Sequence, residues 1–274
     1  MARCTISVLA ERPETTAVLL TAAAQLAALV GPSEIKVAAF HRLVSVPIVA
    51  MTDWKFNNDE IAPFAAKERD RQTALGAVYD RWVSKATPEN ASMRWIDIAE
   101  DAKSSLRDSM QAASFIVVPR PAGNDDSDTQ ETFRAALFDS SRPVLVAPSA
   151  PRPSLGRRVG IAWRNDEYAR RAVVAAIPLL KDAEQIHVFT GIRQGQPQAA
   201  LPDVLDGRGF PTQMHEIALN GAPLGETLLT KAHSLGLDLL VLGAYFHSPL
   251  REWIFGGVTR YMLTHADLPL LMFH

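Results

Sequence analysis

Short apolar runs alternate with longer segments of helical spacing along the second half of the chain. The runs "RRVGIAW", "EQIHVFT", "TQMHEIAL", "LDLLVLGA" and "DLPLLMFH" predict strands, and "DEYARRAVVAAIPLLKDA" and "APLGETLLTKAHSLG" predict helices. Strands that alternate with helices are typical of a parallel sheet covered by helices on both faces. The pattern therefore predicts an α/β fold.

The first half repeats this order with a different sequence. Strands are predicted in "TISVLAE", "EIKVAAFH", "MRWIDIAE", "SFIVVPR" and "RPVLVAPS". Helices are predicted from about Thr15 to Val30, from about Asp59 to Ala86, and within "DAKSSLRDSMQAA" and "TFRAALFD". Because internal repetition is the strongest organisational signal, we expect two copies of one doubly wound α/β fold. The copies occupy residues 1–148 and 156–274, and the Pro-rich segment 147–156 is the expected linker.

Each copy ends in a short apolar strand, "SRPVLVAP" in the first and "ADLPLLMF" in the second. A Leu- and Val-rich strand at the bare edge of a sheet would invite aggregation. Pairing the two closing strands would cover both edges. We predict an internal pseudo-dimer through these strands, and a homodimer that pairs them between chains is the alternative.

Composition narrows the range of partners. The 274 residues carry a formal net charge of -2, so the chain has no electrostatic attraction to nucleic acid or anionic membranes. Cys4 is the only cysteine, which excludes a disulfide within the chain and is consistent with a reducing compartment. The apolar run at 17–30 is 14 residues long and follows Glu11 and Glu14, so we expect a buried helix rather than a membrane span. The predicted location is the cytoplasm.

Gly256 and Gly257 interrupt a segment that otherwise has helical character. Each glycine inside a helix costs about 1 kcal/mol relative to alanine, so a helix boundary at the pair is the better interpretation. The amides of a first helical turn without side chains would be accessible to an anion. A phosphate site is therefore a candidate here.

The segment "LDLLVLGAYFHSPLREWIFGGVTRYMLTHADLPLLMF" resembles the C-terminal signature of the universal stress protein (UspA) family. In that signature a strand ends in Gly, a second Gly follows after two residues, and a third Gly followed by Ser or Thr comes nine residues later. "VGIAWRNDEYARRAV" is similar to the family's opening strand and helix, and "RPVLVAP" resembles its last strand. The resemblance implies a tandem pair of five-stranded parallel sheets of the adenine-nucleotide alpha hydrolase-like type. Some members of this family bind ATP and others do not.

The resemblance also assigns positions to a nucleotide site. Gly243 matches the first glycine of the signature, Gly256 the third, and Thr259 is a hydroxyl residue one turn further on. Phe246 replaces the second glycine, and Gly257 replaces the Ser or Thr after the third. The tentative nucleotide-binding set is Arg164, Asn165, Gly243, His247, Ser248, Gly256, Gly257 and Thr259.

Arg164 stands where ATP-binding members have an Asp that helps hold the adenosine. Replacing a carboxylate by a guanidinium removes an acceptor for ribose or adenine and supplies a cation that could pair with an anion. Phe246 in place of the second glycine also alters the expected site, because a phenylalanine side chain leaves the backbone less open to a phosphate than glycine does. The expected site is altered rather than erased.

The first copy departs further from the family pattern. Its fourth strand is followed by "VVPRPAGNDDSDTQETFRAALF", with Pro119 where a glycine would lie, so no phosphate cradle is expected there. We expect Arg120 to lie in a solvated loop together with Asp125, Asp126 and Asp128. This copy is the degenerate one.

The sequence contains no motif of a known catalytic site. Gly-x-Ser-x-Gly, the Walker A loop, GxGxxG, HExxH and CxxC are all absent, and the seven histidines show no metal-ligand spacing. We therefore predict no catalytic residues, no metal site and no enzyme activity. The predicted function is a stress-response scaffold or regulator with weakened or lost nucleotide binding. The alternative is an ATP-binding member, with slow hydrolysis, for which ATP or another adenine nucleotide is the candidate cofactor; no cofactor is certain.

Overall fold

The computed structural model describes residues 3–41, 58–98, 102–123, 125–193, 200–219, 223–244 and 257–274. These segments contain strands at every position where apolar runs predict them, so the α/β prediction is confirmed. The strands are β1 Cys4–Ala10, β2 Ser33–Phe40, β3 Ala91–Ile98, β4 Phe115–Pro119, β5 Val144–Ala147, β6 Arg158–Trp163, β7 Gln185–Ile192, β8 Thr212–Ala218, β9 Leu239–Gly243 and β10 Leu270–Phe273.

Helices connect most of these strands. They are α1 Pro13–Val30, α2 Asn58–Ala86, α3 Ala102–Gln111, α4 Ser127–Arg134, α5 Glu167–Leu180, α6 Leu224–Ser234 and α7 Gly257–His265, and a π-helical turn at Ala135–Asp139 continues α4. One core cluster places α1, α2 and α5 on one face of the sheet, with α2 packed against α1, and another places α3, α4, α6 and α7 on the opposite face. The core therefore has two layers, one on each face.

The strands form one ten-stranded sheet in the order β3-β2-β1-β4-β5-β10-β9-β6-β7-β8. The same order of strands occurs in each half, counted outwards from the centre of the sheet. At that centre the closing strands β5 and β10 pair antiparallel, with Leu271 opposite Leu145, whereas the other pairs are parallel. Both closing strands have a sheet neighbour on each side, so neither presents a bare apolar edge.

Helix α1 is longer than the apolar run that predicts it. It begins at Pro13, in the first helical turn, where a proline is tolerated because its missing amide hydrogen would have no partner there. With 18 residues it is longer than the 14-residue apolar run, and by length and composition alone it could cross a membrane. Leu19, Leu20 and Leu26 are nevertheless fully buried in the protein core. Helix α1 is therefore a core helix of the fold.

The expectation of a solvated loop after β4 was wrong for Arg120. Its Nη1 donates to the carbonyls of Met262 (2.7 Å) and Leu263 (3.2 Å), and its Nη2 donates to the carbonyl of Leu268 (3.3 Å). Burial lowers the pKa of Arg120 to about 10. The last carbonyls of a helix are short of intrahelical donors; that of Met262 accepts from the amide of Ala266 at 3.0 Å, and the guanidinium from the first half supplies further donors at the end of α7.

The acidic residues of the same loop also have structural partners. The carboxylate of Asp125, 3% exposed, pairs with Arg12 and accepts from the amide of Ala122 at 2.6 Å. Asp126 caps α4, because its side chain accepts from the amide of Thr129 at 2.9 Å. These contacts satisfy backbone donors and neutralise the charge of Arg12, which also donates to the carbonyl of Arg120 at 3.1 Å. The loop after β4 is therefore held in place by its charged residues.

Candidate functional site

The second half contains a cavity at the point where the strand order reverses. Strand β6 pairs with β7 on one side and with β9 on the other, and the carboxyl ends of such strands form the usual ligand crevice of open α/β sheets. A cavity of about 160 Å³ lies there, which we call the second-half cavity. Its lining consists of Ala162–Arg164, Phe189–Gly191, Ile217, Leu224, Leu228, Leu242–Gly243 and Gly257–Thr259.

Four residues of the predicted site line this cavity, namely Arg164, Gly243, Gly257 and Thr259. They come from the ends of β6 and β9 and from the first turn of α7. Asn165 is described by the structure but is not part of the lining. The predictions for His247, Ser248, Gly256 and Phe246 concern residues outside the described segments.

Gly243 serves the packing of α5 against the sheet. A Cβ atom at this position would lie 2.9 Å from the backbone nitrogen of Ala169 and 2.9 Å from the carbonyl carbon of Tyr168. Real Cβ atoms do not approach backbone this closely, so any side chain would push the first turn of α5 away from β9. At Gly257, in contrast, a Cβ would meet nothing within 4 Å. Close packing therefore requires glycine at position 243 but not at position 257.

Arg164 places a cation at the mouth of the second-half cavity. Its side chain is 62% exposed, and its Nε donates to the carboxylate of Asp166. Asp166 also caps α5 by accepting from the amide of Ala169 at 3.0 Å. Among the described residues of the lining, Arg164 is the only one with a formal charge. The described lining therefore carries one positive side chain, and the carboxylate of Asp166 offsets part of its charge.

Thr259 contributes a buried hydroxyl without a partner. The residue is 1% exposed, and its Oγ1 makes no hydrogen bond with any residue that the structure describes. A buried polar group left unsatisfied costs about 1–3 kcal/mol. Thr259 belongs to the lining of the second-half cavity, so a ligand bound there is a candidate partner for this hydroxyl.

The deeper walls of the cavity are apolar. Phe189, Leu228 and Leu242 are 2%, 2% and 3% exposed, and Ile217 lies beside them. They come from β7, α6, β9 and β8, so the sheet and α6 enclose the space between them. Such walls favour an apolar group of the ligand by removing it from water.

The corresponding position in the first half is nearly closed. Glu11 follows β1 as Arg164 follows β6, and a space of only about 10 Å³ lies there, lined partly by Glu11, Pro119, Asp125 and Phe133. Such a volume holds at most about one water molecule. A ligand site of the same kind is therefore present in the described residues of the second half alone.

A pair of histidines next to the cavity was not predicted. Nδ1 of His187 on β7 lies 2.9 Å from Nε2 of His215 on β8. The ring of Phe189, which lines the cavity, stacks on His215 with 5.0 Å between ring centres. The sequence shows histidines in two successive predicted strands, but only the strand register, with Phe189 opposite His215, brings the two together.

Burial makes this pair sensitive to acid. Burial lowers the pKa of His187, with smaller contributions from His215 and Arg158, and burial and then Lys231 lower the pKa of His215. Both pKa values lie below the ordinary value of 6.5, so the unfolded chain takes up protons more readily than the folded protein. The stability contributed by the neutral pair is complete above about pH 6.5 and is lost as the pH falls.

We expect the free energy of unfolding to decrease as the pH is lowered from 7.5 to about 5.5. His187→Phe should reduce this slope, because it removes one of the two groups that take up protons on unfolding. Urea unfolding at several pH values measures the effect, and His265→Phe, at an exposed position outside the pair, is the control. An identical slope in wild type and His187→Phe would show that the pair does not govern the acid response.

The described residues contain no group of three or more His, Cys, Asp or Glu that could hold a metal ion. The site therefore consists of a cation at the mouth, an unpartnered hydroxyl and apolar walls. Its chemistry suits the binding of a ligand with an anionic or hydrogen-bond-accepting group and an apolar body.

Comparisons with known proteins show the same fold in solved structures. No family model matches the sequence, and no curated protein matches it. A universal stress protein from Archaeoglobus fulgidus DSM 4304 is 17% identical, with 97% of each chain covered and a TM-score of 0.64. A protein assigned to the universal stress proteins in Pseudomonas aeruginosa UCBPP-PA14 is 16% identical, with 99% of this chain and 93% of that chain covered and a TM-score of 0.55.

A functionally unknown protein from Pseudomonas aeruginosa PAO1 is similar to the same extent. It is 15% identical, with 99% of this chain and 92% of that chain covered and a TM-score of 0.56. The similarity thus extends over nearly the whole chain in all three cases, although the sequences have diverged widely. The chain has the fold of the universal stress proteins.

Proposed function

We propose that this chain is a tandem member of the universal stress protein family that acts as a non-enzymatic scaffold or regulator in the cytoplasm. The second-half cavity, at the carboxyl ends of β6 and β9, is the observation that carries the proposal. Residues 1–148 form the first domain of this proposal and residues 156–274 the second. The antiparallel pairing of β5 with β10 supports an internal pseudo-dimer of the two.

Nucleotide binding in this cavity is weakened in the proposed function. Arg164 stands in place of the carboxylate that would accept a hydrogen bond from ribose or adenine, and the described lining contains no carboxylate. Gly243 lines the cavity, but its glycine is accounted for by the close packing of α5 and is therefore no evidence of a phosphate site. The volume of about 160 Å³ is also small for a base, a ribose and phosphates together.

The alternative function is an ATP-binding protein with slow hydrolysis. Two observations favour it. Oγ1 of Thr259 lacks a partner among the described residues. At Gly257 no atom lies within 4 Å of the position that a Cβ would occupy, so a ligand could approach the backbone there. A phosphate oxygen could accept from both groups. This alternative requires the ribose and adenine to bind without the missing carboxylate.

A charge reversal at Arg164 distinguishes a blocked nucleotide site from a missing one. We expect Arg164→Asp to raise the affinity for ATP at least about tenfold over wild type, because it restores an acceptor worth about 1.4 kcal/mol or more. Affinities can be compared by NMR titration of nucleotide-free protein with ATP.

The matched control is Arg157→Asp, which reverses the same charge just before the first residue of β6, at the opposite end of that strand. It accounts for the general effect of net charge on a polyanionic ligand. Stronger ATP binding by wild type than by Arg164→Asp would contradict the proposal and favour the ATP-binding alternative.

A further inference from the structure

We propose that the second-half cavity binds a small aromatic carboxylate, a single ring that carries one anionic group. This inference rests on the proposed function, because it concerns the same cavity and the loss of tight nucleotide binding there. It adds the chemical class of the ligand. Three properties of the cavity support it, namely its volume, its walls and the placement of its polar groups.

The volume of the cavity matches one ring. An engineered protein cavity of about 150 Å³, lined by Leu, Ile and Phe, binds benzene. The second-half cavity measures about 160 Å³, so it can accept a six-membered ring with a small substituent. A purine together with a ribose needs considerably more space.

The walls of the cavity suit an aromatic ring. The buried side chains of Leu228 and Leu242 approach from α6 and β9, and Phe189 contributes an aromatic ring from β7. Aromatic rings in contact add about 0.5–1.5 kcal/mol to the gain from burying their area. Phe189 is itself fixed by its stacking on His215, so this wall is ordered before a ligand enters.

The polar groups suit a single negative charge. Thr259 belongs to the lining and its buried Oγ1 has no hydrogen-bond partner among the described residues, so we assign this hydroxyl as the donor to a carboxylate oxygen. The guanidinium of Arg164, which is paired with Asp166, lies at the mouth of the same cavity and is the charged side chain of its described lining. A hydrogen bond to a charged group contributes about 1.5–3 kcal/mol, roughly twice a neutral one.

The described lining disfavours other ligand classes. It contains no Asp or Glu, so a cationic ligand would meet only the like charge of Arg164. A sugar or polyol would find Thr190 and Thr259 as the only side-chain hydroxyls. Leaving the remaining polar groups of such a ligand buried without partners would weaken its binding.

Titration of the full chain with sodium benzoate, followed by NMR, tests the proposal. Benzyl alcohol has nearly the same shape without the charge, benzylamine reverses the charge, and AMP tests the size limit. We expect saturable binding of benzoate, at least about tenfold weaker binding of benzyl alcohol, and no binding of benzylamine. Equal affinities for benzoate and benzyl alcohol, or tighter binding of AMP than of benzoate, would overturn the proposal.

A pair of threonine variants on α7 locates the binding. Thr259→Val removes the buried hydroxyl but keeps the shape of the side chain, and we expect it to weaken benzoate at least about fivefold. Thr264→Val is the matched control, because Thr264 is exposed on the same helix and donates to the carbonyl of Arg260. An unchanged affinity in Thr259→Val would overturn the assignment of the carboxylate to this hydroxyl.

A further variant tests whether a loss of benzoate binding comes from the cavity or from misfolding. Leu228→Phe enlarges an apolar wall, and it should abolish benzoate binding while the circular dichroism spectrum stays that of wild type. Failure of benzoate to bind, together with weak ATP binding, would refute this inference and leave the proposed function standing. Micromolar ATP binding by wild type would instead refute the proposed function.

Discussion

Gly243→Ala is expected to destabilise the protein by about 2–3 kcal/mol. A Cβ at this position would lie 2.9 Å from the backbone of both Tyr168 and Ala169, and backbone cannot move aside as the end of a flexible side chain can. Relief of the clash requires α5 to shift away from β9. Overpacking of this kind typically costs about 1–3 kcal/mol. Urea unfolding followed by circular dichroism measures the change.

The matched control for this substitution is Gly257→Ala. A Cβ there would meet nothing within 4 Å, and alanine is a better helix former than glycine, so we expect a change within about 0.5 kcal/mol. Equal losses of stability at the two positions would contradict the explanation of Gly243 by close packing. The comparison also separates a glycine that the fold requires from one that it tolerates.

Arg120→Met is expected to destabilise the protein by about 3 kcal/mol. Methionine keeps much of the side-chain length and apolar contact but leaves the carbonyls of Met262, Leu263 and Leu268 without the guanidinium that donates to them. Each buried acceptor that loses its partner costs about 1–3 kcal/mol, and partial access of water reduces the total. The midpoint and slope of urea unfolding measure this loss.

Arg157→Met is the matched control for Arg120→Met. Arg157 pairs with Glu184, but both side chains are largely exposed, at 65% and 47%. Exposed ion pairs contribute little, so this variant should unfold near the urea midpoint of wild type. An Arg120→Met variant as stable as Arg157→Met would show that the contact between the first half and α7 is dispensable.

The apolar pattern was sufficient to predict the strands, because the inner strands are largely buried and each strand reads as a short apolar run or an alternating one, as the edge strands β3 and β8 do. Strand β9, "LLVLG", is fully buried and illustrates this. The start of helix α1 was predicted too late, at about Thr15 instead of Pro13, because Pro13 and Glu14 interrupt the apolar pattern. A proline is nevertheless suited to a first helical turn. Boundaries depend on local capping, which apolar periodicity does not report.

The contacts of Arg120 could not be predicted from the sequence. They join residues 142 to 148 positions apart, and the composition of the surrounding loop is that of a solvated segment. The histidine pair was missed for a similar reason, because the contact between His187 and His215 depends on the register of β7 with β8. Both contacts require the fold to be known first.

The candidate site was predicted in part from the resemblance to a family signature. Arg164, Gly243, Gly257 and Thr259 come together at one cavity, as the positions of the signature imply. The roles of these residues required the structure. The sequence could not show that Gly243 faces the backbone of α5, or that Oγ1 of Thr259 is buried without a partner among the described residues.

Calorimetric titration of the nucleotide-free wild-type chain with ATP tests the central claim most directly. We expect no binding heat at micromolar ATP, because the described lining of the second-half cavity has no carboxylate to accept from ribose or adenine and its volume of about 160 Å³ is small for a nucleotide. Micromolar binding that disappears in Thr259→Val would place a working nucleotide site in the same cavity. That result would contradict the proposed loss of nucleotide binding.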